Sequence, residues 1–126
     1  MWTYDRGGGR CKHRWHNDYA GHERVGRRLV GKCPKSIDQD AAQSALDSGY
    51  EYFDERDKAT YPSRIFAVVG GVVYRAMPTQ PGVSYHGFPE LAEHLPPDET
   101  LRTAILELAE ADGSRRKVEK WLRQRP

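Results

Sequence analysis

Sulfur and bulky apolar side chains are scarce in this chain: two cysteines, two methionines and three phenylalanines among 126 residues. Two cysteines exclude the disulfide framework that small secreted domains rely on. The longest apolar run, Ile65 to Tyr74, falls far short of the roughly 20 residues a membrane helix needs, so no membrane partner is expected. Residues 1–6 lack the apolar core of a secretory signal. The expected location is therefore the cytosol, or another cell reached through a dedicated secretion system. Several enzyme signatures are also missing: the Gly-x-x-x-x-Gly-Lys-Ser/Thr loop, the Gly-x-Ser-x-Gly elbow and the His-Glu-x-x-His helix. The Pro-Cys-x-x-Cys of nucleotide deaminases is absent too, since Lys32-Cys33-Pro34 does not provide it.

What is present is charge, at 30% of residues against 37% apolar, and it is segregated. Residues 1–35 hold nine Lys/Arg against three acids, and residues 113–126 hold six against one. Between them, 36–64 carry three basic and seven acidic residues, and 98–112 one and five. If the two basic ends meet, Arg14, Arg27, Arg28, Lys32, Arg115, Arg116 and Lys120 form a surface for nucleic acid or an acidic protein; otherwise they pair with the acidic middle.

Both cysteines and three of the five histidines lie between Cys11 and Cys33. Thiolate and imidazole are the ligands zinc prefers, and Cys11, His16, His22 and Cys33 make one tetrahedral set, with His13 as a substitute for either histidine. Gly31 and Pro34 around Cys33 suit a metal knuckle. The close cysteine pair of a zinc ribbon is missing, so buried thiols and hydrogen-bonding histidines are the competing reading. In an oxidising compartment a Cys11–Cys33 disulfide would contribute about 3 kcal/mol.

At this length one domain is expected, comprising a flexible lead-in over 1–10, a Cys/His-rich basic segment over 11–35, and an α+β core over 36–126. Residues 23–31 read as a short hairpin that delivers Cys33. Ser36-Ile37-Asp38-Gln39 fits a capping box for a helix over 37–48, with Gly49 as a left-handed stop. Tyr50 to Phe53 reads as a strand. Residues 65–77, folded at Gly70-Gly71, read as the central β-hairpin of a small antiparallel sheet. Pro78 to Pro89 reads as a loop. Asp98 then caps a helix carrying Leu101, Ile105 and Leu108, and Ser114 caps a last basic helix around Val118, Trp121 and Leu122. One helix before the sheet and two to three after it define an α+β fold.

In the 78–89 segment His86 lies between Tyr85 and Gly87, placed for general acid or base work, and Arg75 on the preceding strand is placed to stabilise a phosphate. The catalytic set is then His86, Arg75 and Tyr85; the competing reading is that Tyr85 and Phe88 pin the loop to the sheet. The runs Gly71-Val72-Val73-Tyr74-Arg75-Ala76, Pro81-Gly82 and Tyr85-His86-Gly87-Phe88-Pro89 resemble a segment of the C-terminal domains of bacterial polymorphic toxins, the effectors of interbacterial competition. The resemblance implies an effector-like domain, often a nuclease acting on tRNA, rRNA or DNA, neutralised by a cognate immunity protein. The alternative is a non-catalytic, zinc-stabilised adaptor or immunity-type module that binds an acidic partner.

Overall fold

The computed structural model describes residues 2–5, 39–54 and 60–123, together with the backbone of 21–25 and 28–32. Its element order is β1 (Thr3–Tyr4), β2 (Gly21–Val25), β3 (Arg28–Lys32), α1 (Gln39–Ser48), β4 (Tyr50–Tyr52), β5 (Arg64–Val69), β6 (Val72–Gln80), β7 (Ser84–Pro89), a 3-10 turn (Ala92–His94), α2 (Glu99–Asp112) and α3 (Arg115–Leu122). Strands β4 to β7 form an antiparallel meander, and β1 adds to β7 in parallel, giving a five-stranded mixed sheet in the order β1-β7-β6-β5-β4. Strands β2 and β3 form the separate hairpin expected from the sequence, and β3 lies close to β7. The fold is α+β, with one helix before the meander and two after it among the described residues.

Alternation along the strands sends side chains to two different cores. On one face Ile65, Ala76 and Tyr85 pack with Leu46 of α1, joined by Trp2 and Tyr4. On the other, Phe66 and Val73 pack with Leu101, Ile105 and Ala109 of α2 and with Val118 and Leu122 of α3. Phe66, Leu101, Ile105 and Val118 are fully buried, and truncating Phe66, Leu101 or Ile105 to Ala would cost about 2–5 kcal/mol.

Several sequence expectations are corrected. Gly49 does not end α1 through a positive φ. Its reason is proximity, since a Cβ there would lie 2.6 Å from Ile65 Cγ2 and 2.8 Å from the Phe66 carbonyl oxygen. Residues 78–89 are largely strand: β6 runs on to Gln80, turns at Gly82 (φ 77°), and returns as β7, with a register shift between Pro78 and Gln80. That irregularity accommodates a proline, which has no N–H to give the ladder. Within the lead-in, Thr3 and Tyr4 form a strand, held by hydrogen bonds with α1: Gln43 Oε1 accepts from the Tyr4 amide at 2.8 Å and Gln39 Nε2 donates to the Tyr4 carbonyl at 2.9 Å. The residues of the expected capping box before Gln39 lie outside the described residues.

Asp98 does cap α2, its carboxylate accepting from the amides of Thr100 (2.9 Å) and Leu101 (3.2 Å). Ser114 precedes α3 but makes no side-chain cap; its hydroxyl donates to Asp112 instead. Asp112 thereby joins a clasp on the central hairpin. Gly70 and Gly71 adopt left-handed φ values of 59° and 80°, and their amides donate to the two oxygens of the Asp112 carboxylate at 3.2 and 2.9 Å. Lys117 Nζ closes the clasp by donating to the Gly70 carbonyl at 3.2 Å. Replacing Asp112 by Ala is expected to lower stability by about 1–2 kcal/mol in urea titration. An unchanged midpoint would mean that the helices, not the clasp, hold the turn.

Candidate functional site

The helices α2 and α3 cover only part of the second sheet face. Near the hairpin tip Phe66 and Val73 lie beneath them, whereas towards the other end the face carries side chains that are partly exposed: Tyr52, Arg64, Arg75, Met77, His86 and Phe88. Register brings these residues together in rows. Tyr50, Phe66, Arg75 and Phe88 are successive cross-strand partners on β4, β5, β6 and β7. Beside that row, Tyr52 pairs with Arg64, and Met77 with His86.

Each guanidinium rests on an aromatic ring of the next strand. Arg75 lies 4.8 Å from the Phe88 ring centre and Arg64 lies 5.9 Å from that of Tyr52. Phe88 in turn meets the His86 ring at 6.2 Å, tilted by 33°. Thr79 Oγ1 is 2.7 Å from His86 Nδ1, a hydrogen bond that fixes the orientation of the imidazole.

Glu90, one step past β7, is the buried acid of this cluster, 3% exposed. Its amide donates to the Val73 carbonyl, which continues the ladder and keeps its side chain on the face of His86 and Phe88. One carboxyl oxygen accepts from the Leu91 amide at 3.0 Å, and the other is 3.4 Å from Arg75 Nε. Burial pushes the Glu90 carboxyl above the usual carboxylate range, with Arg75 the main opposing influence. Burial likewise lowers Arg75, which Glu90 counteracts and the nearby Arg64 reinforces.

Compared with known proteins, the chain matches no family model, no curated protein and no solved structure. The site is therefore read from its own chemistry.

Of the residues singled out in the sequence, the fold brings together Arg75 and His86, on one face of adjacent strands. Tyr85 points to the opposite face, because neighbours on a strand alternate. It is fully buried, its hydroxyl donates to the Pro62 carbonyl, and burial pushes its phenol up to about 12. Trp2 packs edge-on against it at 5.6 Å. These contacts match the pinning alternative for Tyr85 and separate it from His86.

The basic helix stands apart. Lys117 touches the hairpin tip at Gly70, and Met77, opposite His86, is six residues further along from Gly71, roughly 20 Å of strand. Arg115 there faces Glu110 and Glu119, each at 3.8 Å, while Arg116 and Lys120 are exposed. Cys11, Arg14, His16, Arg27 and Cys33 lie outside the described residues. His22, Arg28 and Lys32 are placed by backbone only, His22 opposite Gly31 in the β2–β3 hairpin. No group of three potential metal ligands occurs among the described residues.

Sequence reasoning missed Arg64, Thr79 and Glu90. The signal was the alternation in residues 84–90, where Tyr85, Gly87 and Pro89 are the buried set and His86, Phe88 and Glu90 share the other face. A small apolar cavity of about 50 Å³ under α1, lined by Ala41, Ala45, Ala67 and Gly87 among others, offers no comparable polar chemistry.

The sign of the Glu90 shift makes it testable. A carboxyl whose folded pKa is raised binds its proton more tightly when folded, so its favourable contribution is complete at low pH and is lost as pH climbs through the raised value. Wild type is expected to lose stability upward from pH of about 4.3, the ordinary glutamate value, and Glu90→Gln to flatten that part of the profile. Parallel profiles for the two proteins would show that Glu90 titrates normally.

Proposed function

We propose that this chain is a nucleic-acid-directed protein, a toxin-like nuclease whose substrate lies on the open part of the sheet face. The observation that carries the reading is the placement of an imidazole, His86, and a guanidinium, Arg75, on adjacent strands around one aromatic ring, Phe88. Phosphodiester cleavage needs a proton acceptor for the attacking hydroxyl and positive charge beside the non-bridging oxygens. His86 takes the proton as the attacking oxygen bonds to phosphorus, and Arg75 carries the charge that develops. The bond to the leaving oxygen breaks, water protonates that oxygen, and the imidazolium discharges its proton to solvent.

The aromatic surroundings fit the same substrate class. Rings on an open antiparallel sheet are the common platform for unstacked bases, and arginine adds backbone contacts. The closeness of β3 to β7 puts the backbone of the basic N-terminal hairpin beside the same strand. An immunity-type protein would neutralise the site by laying acidic groups across it.

The test is incubation of single-stranded and duplex RNA and DNA with wild type and with His86→Ala. The expected result is cleavage of at least one substrate by wild type and a loss of about 10²–10⁴-fold in the variant, with its unfolding temperature unchanged. Equal cleavage by both would remove His86 from the mechanism. Salt-dependent binding without cleavage would favour the non-catalytic adaptor.

A further inference from the structure

We infer that Arg64 and Arg75 together form a receptor for one phosphate group, supplied by a phosphodiester of the nucleic-acid backbone; this assignment of the ligand rests on the function proposed above. Arg64 was invisible as a site residue in the sequence, where it follows a polar loop. In the sheet it is the diagonal neighbour of Arg75, because Phe66, two residues further along the same face of β5, is the direct partner of Arg75. Diagonal neighbours in an antiparallel pair are within reach of long side chains.

Three observations point to an anion. Both guanidiniums are pre-oriented by rings of flanking strands, Arg64 by Tyr52 and Arg75 by Phe88, which reduces the rotamer freedom each would lose on binding. Arg64 Nη1 is a buried donor without a hydrogen-bond partner among the described residues, whereas Arg75 Nε faces Glu90 Oε2 at 3.4 Å, which leaves the remaining donors of the Arg75 fork for a ligand. Buried polar atoms in folded proteins rarely go unpartnered, and the Arg64 donor marks a place for an acceptor beside Arg75. Finally, a single buried carboxyl, Glu90, is paired with Arg75 and also feels the charge of Arg64. Among the described residues, Arg64, Arg75 and Glu90 together leave one positive charge, and one phosphodiester carries one negative charge.

The parts then have distinct roles. Glu90 is a positioning residue that holds the Arg75 fork over Phe88. Arg64 and Arg75 donate to the non-bridging oxygens, a geometry that a planar fork meets and a lysine ammonium does not. His86, two residues from Phe88 on the same face of β7, stands beside the phosphate so held.

The test is an NMR titration of the arginine Nε–H resonances with inorganic phosphate, and with chloride at equal ionic strength. Binding of a labelled single-stranded RNA ten-mer is followed in parallel. Wild type is expected to shift Arg64 and Arg75 with phosphate and not with chloride. Arg64→Lys, which keeps the charge and loses the fork, should weaken ten-mer binding about tenfold or more, with an unchanged circular dichroism spectrum. Phosphate that leaves both resonances in place, or an Arg64→Lys protein that binds RNA as wild type does, overturns the receptor, even if His86-dependent cleavage is found. Shifts with phosphate but no binding of the ten-mer would leave a receptor and overturn its assignment to nucleic acid.

Discussion

The alternation of β6 is the constraint on which the rest of this structure depends. Val73, Arg75 and Met77 face one way, Tyr74 and Ala76 the other, and the strand has a partner on each side. Its register against β5 follows from the two-residue turn at Gly70-Gly71, where both residues need positive φ. A slip of one residue would send Arg75 into the alanine-lined side under α1 and bring Tyr74 and Ala76 onto the face of His86. The Asp112 clasp therefore helps fix which side chains meet at the other end of the sheet, because it ties the turn to the end of α2.

The two faces divide the work. The α1 face is closed with small residues, so that helix and sheet approach closely, and Gly49 allows the chain to pass next to Ile65 and Phe66. Among the described residues, α2 and α3 close the second face near the hairpin, where they supply Leu101, Ile105, Val118 and Leu122. Its remaining end is built from cations, rings and an imidazole, with one buried acid beneath. Burying Glu90 costs solvation, and Arg75 offsets only part of it, which is why its carboxyl is raised. Such a cluster is a poor device for stability and a good one for binding charge.

Much of the architecture was legible in the sequence, because helix periods, the Asp98 cap and the Gly-Gly turn are local signals. The return strand was not. Pro78, Pro81 and Pro89 with Gly82 and Gly87 read as loop chemistry, and the ladder tolerates them only because a register shift falls at Pro78. Taking 78–89 as a loop also hid the site. On a loop Tyr85 and His86 can act together, whereas on a strand they face apart. His86 and Arg75 were visible as chemistry without geometry. Arg64 was not visible, since its role comes from cross-strand register, and Glu90 was legible only through the alternation of residues 84–90, its burial being a tertiary effect. Gly49 illustrates the same limit: as a glycine after a helix it reads as a left-handed stop, while its contacts with β5 reveal a packing constraint.

The central claim is that the open part of the second sheet face meets nucleic acid, and mapping the contact by amide NMR with a short single-stranded RNA tests it most directly. The account predicts perturbations grouped at Tyr52, Arg64, Arg75, Met77, His86 and Phe88, with α1 and the Ala67 side of the sheet silent. Perturbations centred on α1, or confined to Arg115, Arg116 and Lys120 of α3, would contradict it.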